Sequence, residues 1–302
     1  MKGLGHVPFG KAWHVLVTAF NGWLEDRAAS MGAAIAFYTL FSMAPMLLLI
    51  IAITGLVFGP EAAQGALMGQ LQGMMGREGA AALQAMIASA GKPVSGTIAT
   101  VVAIVTLIVG ATTVFAELQS SLNVIWKAQP PTGSSVVWLV KVRLKGLALI
   151  GMIGFLLIVS LIVSAVLAAF GRWYESLMPD AYVLVWTVNL ISSLVVFTVL
   201  FALVYRALPD TRIPWKDLWL GAAVTSVLFT IGKSLIGLYL GTSGVTSAYG
   251  AAGSFVLILL WVYYSATIFL FGAEITRSYS EHVGSRSRAR GTLRGGEAAP
   301  GR

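Results

Sequence analysis

Six long apolar stretches, separated by short polar gaps, follow one another along this 302-residue chain. They cover residues 34–58, 97–117, 146–170, 181–205, 217–240 and 251–275. Each has about the 20 residues that a helix needs to cross a hydrocarbon core roughly 30 Å thick. The pattern therefore predicts an all-α fold, a polytopic membrane protein with six transmembrane helices plus amphipathic interfacial helices.

The composition supports this interpretation. Hydrophobic residues make up 57% of the chain and charged residues only 11%, whereas a soluble domain usually carries about 25% charged residues. A chain with so little charge cannot cover a water-soluble globule with polar surface. The remaining apolar surface is expected to face lipid.

The distribution of positive charge predicts the orientation in the membrane. Sixteen of the twenty Lys and Arg residues lie in the N-terminal tail, in the gaps 118–145 and 206–216, and after residue 276. Basic residues are retained on the cytoplasmic side, so both termini and these two gaps are predicted to be cytoplasmic, in a bacterial inner membrane. Because this placement accounts for the net charge of +8, no nucleic-acid partner is predicted.

Three segments flank or interrupt the membrane domain, which we assign to residues 31–278. In residues 1–30, Trp13, Val17 and Phe20 recur at helical spacing, which predicts an amphipathic cytoplasmic helix that lies in the interface or packs on the bundle. Residues 59–96 predict two short amphipathic helices on the outer face, broken at Gly76-Arg77. The Arg-rich residues 279–302 predict a basic, disordered cytoplasmic tail.

Lys233 is the clearest charged residue within a predicted span. Ser226, Thr230 and Ser234 recur on nearly the same face of that helix, and such a small polar stripe suits close helix packing or a hydrophilic cavity. We therefore predict that Lys233, with Ser226, Thr230 and Ser234, binds an anionic substrate group in the outer half of the membrane. The alternative is a lysine that extends to the outer surface.

Two acidic residues, Glu117 and Glu274, lie at the predicted cytoplasmic ends of their spans. Basic residues at the same level, such as Arg143, or Arg277 for Glu274, are candidate partners. We predict that Asp26, Glu117, Glu274 and Arg143 form ion pairs that are either structural or part of a gate.

Two further features border the membrane. Pro45 lies inside the first span, where it removes a backbone donor and is predicted to kink or break the helix. The uncharged, hydroxyl-rich link 241–250 is able to fold into the outer mouth of the bundle. Tyr249 is its one bulky polar side chain, and we include it in the predicted substrate site.

The inventory of reactive residues argues against an enzyme. The three histidines, His6, His14 and His282, lie in or near the tails, and the chain has no cysteine. Zinc-protease, nucleophile-elbow and phosphate-loop motifs are absent from the sequence. We predict no enzymatic activity, no metal and no cofactor.

Several strings of residues along the chain form one recognisable pattern. They are Asp26, Ala33-Ala34-Ile35-Ala36-Phe37-Tyr38, Ser42-Met43-Ala44-Pro45, Phe115, Leu122-Asn123-Val124-Ile125-Trp126, Leu208-Pro209-Asp210, Trp215, Gly221-Ala222, Lys233, Tyr249-Gly250, Trp261 and Gly272-Ala273-Glu274. Together they resemble the YihY/BrkB family of inner-membrane proteins over about residues 10 to 280. The sequence departs from the usual family pattern at Ile275-Thr276.

The resemblance implies a bacterial inner-membrane protein with six spans and no agreed catalytic residues. The family's inherited label of ribonuclease BN conflicts with the inventory above, and we reject it; a second label is virulence factor. The family is also suspected of moving lipids, which implies membrane lipids as partners. Our leading hypothesis is therefore a transporter or flippase of an amphipathic, anionic lipid or envelope-related substrate. The alternatives are a non-transporting scaffold for envelope partners and a membrane-embedded enzyme. The sequence does not determine the oligomeric state.

Overall fold

Eight α-helices make up nearly all of the structure, a computed structural model that describes residues 9–90, 97–128, 135–175, 182–242 and 253–287. No strand occurs within these ranges. The helices are α1 (Phe9–Glu25), α2 (Ala28–Phe58), α3 (Pro60–Ala90), α4 (Thr97–Ile125), α5 (Ser135–Glu175), α6 (Tyr182–Ala207), α7 (Trp215–Thr242) and α8 (Gly253–His282).

Six of these helices are long and apolar enough to cross a membrane. The apolar segments lie in α2, α4, α5, α6, α7 and α8, and each of the six predicted stretches falls on one of them. Large apolar side chains such as Val102 and Phe155 are exposed on the outside of the bundle, as lipid contact requires. The predicted all-α, six-span fold is confirmed.

Helix α3 differs from the prediction for residues 59–96. It is one helix from Pro60 to Ala90, so the break expected at Gly76-Arg77 is wrong. Leu67, Leu83 and Ile87 are buried in the same apolar core as the spans, and α3 packs against α2, α7 and α8. Burial of one apolar side along the whole helix outweighs the helix-disfavouring Gly76.

Helix α1 packs on the bundle, which is one of the two arrangements considered for the N-terminal segment, and its position in the membrane interface stays a prediction. On one side it packs on α8: Val15 and Ala19 are buried, and the Ser278 hydroxyl donates a hydrogen bond to the Val15 carbonyl at 2.9 Å. On the other side Trp13 and Phe20 are exposed. Helix α1 therefore presents an apolar face outward while it is fixed to the bundle.

Helix α2 continues through Pro45 without interruption, so no helix break occurs there. Membrane helices tolerate proline where neighbouring structure compensates for the lost backbone hydrogen bond. The Pro45 ring lies against Gly110 of α4, where an added Cβ atom would come within 3.1 Å of the ring. The proline thus serves as a helix-packing residue in this structure.

The chain after residue 278 belongs partly to the bundle. Helix α8 extends to His282, whose ring lies edge-on to that of His14 at 4.9 Å between centroids. The Arg286 guanidinium lies over the Trp126 ring, 5.1 Å from its centroid. The tail predicted to begin at residue 279 therefore starts later in the chain, and residues 288–302 lie outside the described residues.

Helices α7 and α8 pack antiparallel and very close together. We call the line of residues along their contact the α7–α8 seam. Gly221 of α7 faces Thr276 of α8, and Gly272 of α8 faces Thr225 of α7. One turn farther along, the Ser280 hydroxyl donates to Asp217 Oδ2 at 2.7 Å. Small residues at such contacts let two helix backbones approach, which is a main source of helix association in lipid.

The seam generates a prediction about Gly221. A Cβ atom added there would overlap the Thr276 side chain, so Gly221→Ala forces the helices apart. This change should lower the free energy of unfolding by about 1–3 kcal/mol. Thermal unfolding of the purified protein in detergent should show a lower melting temperature. Gly65→Ala in α3 is the matched control: nothing lies within 4 Å of an added Cβ atom at that glycine, and alanine favours helix. Equal melting temperatures for the Gly221 variant and the wild type would contradict the role of the seam.

Candidate functional site

An apolar cavity of about 240 Å³ inside the bundle is here called the central cavity. Residues of α2, α4, α5, α6, α7 and α8 form its walls, with Phe115, Phe201, Phe229 and Phe269 among them. Two groups of helices line the cavity, α2 with α4 and α5, and α6 with α7 and α8, and α2 of the first group packs closely against α8 of the second.

The central cavity offers few free polar groups. Two hydroxyls reach its wall, and both donate within their own helices: Thr39 to the Ile35 carbonyl at 2.6 Å and Ser265 to the Trp261 carbonyl at 2.8 Å. The cavity is therefore suited to an apolar group such as part of an acyl chain.

Aromatic side chains continue from the cavity into the packing of α6 against its neighbours. The Phe201 and Phe229 rings meet edge to face at 5.6 Å between centroids. The buried Tyr205 hydroxyl donates to the Phe269 carbonyl at 2.7 Å and lies 3.1 Å from the Thr225 hydroxyl. This hydrogen bonding fixes α6 to both helices of the seam.

Lys233 is half-buried on α7 and lies beside α6, with its Nζ atom 6.0 Å from the Phe197 ring centroid. It is not among the residues that line the central cavity. Ammonium groups are attracted to aromatic faces, so this contact contributes to its placement. The predicted contact with an anionic substrate is not tested by this geometry and stays a prediction.

The polar residues grouped with Lys233 are not all in one environment. Ser226 is buried and donates to the Leu194 carbonyl of α6 at 3.0 Å. Ser234 is exposed and donates to the Thr230 carbonyl at 3.2 Å. The Thr230 hydroxyl is buried and lacks a hydrogen-bond partner among the described residues. Tyr249 lies outside the described residues.

Charged side chains meet at the end of the bundle where α1 joins α2, α4 ends, and α6 joins α7; we call it the basic end. Asp26, in the α1–α2 turn, forms an ion pair with Lys127 at the end of α4. Arg277 of α8 lies 3.6 Å from Asp26 Oδ2, 3.8 Å from Glu274 Oε2 and 3.1 Å from Glu281 Oε1. This ion-pair network joins the N-terminal turn, α4 and α8.

The network places the two predicted acidic residues, Asp26 and Glu274, beside a shared cation. The Asp26 and Glu274 side chains are only 7% and 3% exposed, so loss of Arg277 would leave buried carboxylates without their shared partner. Glu274 also packs against Gly22 of α1, where an added Cβ atom would lie 2.8 Å from Oε2. The pairing of Glu274 with Arg277 is one of those considered from the sequence.

The other two predicted ion-pair residues have different surroundings. Arg143 of α5 donates to α4, to the Val109 carbonyl at 3.0 Å and to the hydroxyls of Thr112 and Thr113 at 3.1 Å each. Within the described part of the chain, no cation forms an ion pair with the half-buried Glu117. Arg143 thus joins two helices through neutral acceptors and does not pair with either glutamate.

Asp210, in the α6–α7 loop, accepts hydrogen bonds from three side chains that the site prediction did not include. Gln119 donates at 2.9 Å, Asn123 at 2.8 Å and Lys145 at 2.8 Å. The Asp210 backbone N–H in turn donates to Asn123 Oδ1 at 2.9 Å. One signal in the sequence pointed to this contact: Asn123 and Asp210 each belong to a string of residues that matches the family pattern.

The pKa of Asp210 lies below its ordinary value. Burial by itself raises the pKa of this carboxyl, but the hydrogen bonds from Lys145, Asn123 and Gln119, with the Lys145 charge, outweigh that effect and lower it. Asp210 therefore stays ionised and holds the α6–α7 loop against α4 and α5.

Asp217, a buried carboxylate in the first turn of α7, was also missed. It accepts hydrogen bonds from Ser280 and from the Ser285 backbone N–H at 3.2 Å and hydroxyl at 2.5 Å. Within the described ranges, no group of three or more His, Asp or Glu side chains has an arrangement that could hold a metal ion.

Comparison with known proteins gives one family match. The family model described as Virulence factor BrkB matches residues 19–294. No solved structure matches the chain.

Several similar curated proteins are named UPF0761 membrane proteins. One from Pseudomonas aeruginosa (strain LESB58) is 28% identical over 85% of this chain and 61% of its own length. One from Alcanivorax borkumensis is 29% identical over 90% and 62%, and one from Alkalilimnicola ehrlichii is 32% identical over 65% and 42%. The chain thus spans less than two thirds of the length of these relatives.

The hydrogen bonds to Asp210 generate a pH-dependent prediction. Because its pKa is lowered on folding, the ionised carboxylate stabilises the fold fully above the ordinary value of about 3.9, and this stabilisation is lost as the pH falls through the lower folded-state pKa. Asp210→Asn should therefore lower the free energy of unfolding at neutral pH by about 1 kcal/mol, the upper value for a partly exposed ion pair. The melting temperature should fall accordingly.

Thermal unfolding of both proteins in detergent across the acidic range provides the measurement. The difference between wild type and Asp210→Asn should begin to shrink below pH about 3.9 and should vanish below the lower folded-state pKa, where the wild-type carboxyl is also neutral. Glu25→Gln, at an exposed residue of α1, serves as the control and should have no effect. A difference that stays constant down to acid unfolding would contradict the assignment.

Proposed function

Because this chain belongs to the Virulence factor BrkB family of membrane proteins, in agreement with the resemblance seen in its sequence, we propose that it moves an amphipathic, anionic lipid across a bacterial inner membrane. The central cavity supports this function most directly. It is apolar, is lined by two groups of helices, and has room for part of an acyl chain.

The cavity position supports movement as well as binding. Helices α4 and α6 both line the space, α4 with Val114 and Leu118, and α6 with Leu200 and Val204. A change in the separation of the two helix groups would widen the cavity without exposing backbone polar groups to lipid, since each helix satisfies its own hydrogen bonds. Rocking of two bundles around a central site is a common transport motion.

We place the basic end in the cytoplasm and propose that its ion-pair network controls opening there. Arg277 is the shared partner of Asp26 and Glu274, and these residues lie on the α1–α2 turn and on α8. Separation of these elements requires the Arg277 contacts to break, so the network favours the closed arrangement. The positive charge around this end supports the orientation.

Lys233 is the proposed contact for the anionic group in the outer half of the membrane, with Ser226, Thr230, Ser234 and Tyr249 nearby in the sequence. A lysine inside a membrane helix requires water, an anion or an aromatic face around its ammonium group. The Phe197 contact supplies one of these, and the headgroup of a passing lipid would supply a second.

Filling the central cavity should stop lipid movement. Ala266 is buried at the cavity wall on α8, so Ala266→Phe places a ring in the space intended for the acyl chain. We expect the rate at which a fluorescent phospholipid crosses the bilayer of proteoliposomes, read by quenching from outside, to fall several-fold. Ala148→Phe makes the same change at an exposed residue of α5 and should leave the rate unchanged.

The outcomes of this assay separate the rival functions. A wild-type protein that moves no lipid above empty vesicles would favour the non-transporting scaffold. Equal rates for the Ala266 variant and the wild type would exclude the central cavity as the route.

Lys233 is tested in the same proteoliposomes. Lys233→Met keeps the length of the side chain and removes its charge, so the protein should fold while movement of an anionic phospholipid slows; Lys233→Arg should retain part of the rate. Movement of a zwitterionic phospholipid should change less, because that lipid has no net charge to attract. A Met variant as fast as the wild type with both lipids would show that Lys233 only packs against α6.

A further inference from the structure

A polar cavity of about 360 Å³, here called the basic pocket, lies at the basic end between α5, α6 and the α6–α7 loop. Its charged lining residues are Lys145, Arg206, Arg212 and Asp210. Asp210 pairs with Lys145 at 2.8 Å, so the charges of Arg206 and Arg212 remain uncompensated within the pocket. The pocket therefore has a net positive charge that suits a phosphate group.

The two arginines differ in what holds them. The Arg206 guanidinium donates to the Ile213 carbonyl and lies 5.8 Å from the Trp215 ring centroid, so it is fixed in place. Arg212 is exposed in the loop, and no hydrogen bond or ion pair engages its side chain in the described part of the chain. Arg212 is thus free to bind an anion.

Two tryptophans connect the basic pocket to the apolar outside of the bundle. Trp215 and Trp219 of α7 stack with 6.2 Å between ring centroids, and both are more than two fifths exposed. Tryptophans at such positions lie at the level of lipid headgroups. The tryptophan pair therefore lies at the depth where lipid headgroups meet the acyl chains.

An apolar groove of about 230 Å³, here called the outer groove, begins at Trp219 and follows α6 through Val199, Val195 and Ile191. Val195, Val199 and Arg206 are separated by four and seven residues, which places them on one face of α6. Val195 lies roughly 16 Å along the helix axis from Arg206. The basic pocket, the tryptophan pair and the outer groove thus lie in the same order as the parts of a lipid. The pocket corresponds to the headgroup, the tryptophans to the interface, and the groove to the acyl chain.

We propose that the basic pocket and the outer groove together form a binding site for one anionic phospholipid of the leaflet at the basic end. The phosphate lies between Arg212 and Arg206, and an acyl chain lies in the groove along α6. None of the residues that line the pocket or the groove lines the central cavity, so the lipid can bind here whether or not the central cavity moves lipid.

Native mass spectrometry of the full chain in detergent, titrated with dioleoylphosphatidylglycerol or dioleoylphosphatidylcholine, tests the site. The wild type should bind the anionic lipid more tightly. Arg212→Gln should weaken that binding by about fivefold, the factor expected for one surface cation. It should leave the melting temperature of lipid-free protein unchanged, because no folded contact is lost.

Three further variants test whether the effect is local. Lys141→Gln removes an exposed cation of α5 at the same end that does not line the pocket, and it should not alter binding. Val195→Trp fills the outer groove and should weaken binding of the anionic lipid. Val102→Trp, at an exposed residue of α4, is its control.

Three results would each overturn the proposed site. The first is equal binding of the anionic lipid by the Arg212 variant and the wild type. The second is an equal loss for the Lys141 variant, which would indicate general attraction of anions to this end. The third is competition by soluble glycerol phosphate at the lipid's own concentration, which would show that the pocket binds phosphate without any part played by the groove.

Discussion

Close contact between α7 and α8 is the constraint on which the rest of the bundle depends. Apolar side chains gain little by meeting one another in lipid, so helices there associate through close packing and hydrogen bonds. Gly221 and Gly272 remove the side chains that would keep α7 and α8 apart, and Thr276 and Thr225 fill the space. Because the pair is fixed, Tyr205 can reach the Phe269 carbonyl of α8 and the Thr225 hydroxyl of α7, and this places α6. The position of α6 then sets the width of the central cavity.

At the basic end, carboxylates hold together segments that are distant in the chain. Asp26 contacts α4 and α8, Asp210 contacts α4 and α5, and Asp217 contacts the residues that follow α8. Asp210 and Asp217 each accept from at least two donors, and Asp26 forms ion pairs with Lys127 and Arg277. These contacts compensate for the cost of removing the charges from water. Asp26 and Glu274 share Arg277, whereas Asp210 and Asp217 each meet donors of their own. These contacts suit the joining of helices.

Helix α6 separates two apolar spaces. Its inner face, with Leu200, Phe201 and Val204, lines the central cavity, and its outer face, with Val195 and Val199, lines the outer groove. The outer groove is linked to the basic pocket through the stacked Trp215 and Trp219, whereas the central cavity has almost no free polar group. This difference is consistent with the two roles that we propose for lipid on the two sides of α6, which are binding of an anionic lipid outside and passage of an acyl chain inside.

The sequence by itself determined the six spans, because the length and apolarity of each are properties of one segment in lipid. It also indicated the family, the pairing of Glu274 with Arg277, and a helix in the N-terminal segment. The sequence could not determine that α3 is unbroken or that Pro45 leaves α2 continuous, since both depend on packing against neighbouring helices. It also could not bring Gln119, Asn123 and Lys145 to Asp210, or Arg212 and Arg206 to one pocket. Those groups come from segments up to 91 residues apart, and only the tertiary packing of the helices decides which of their ends meet.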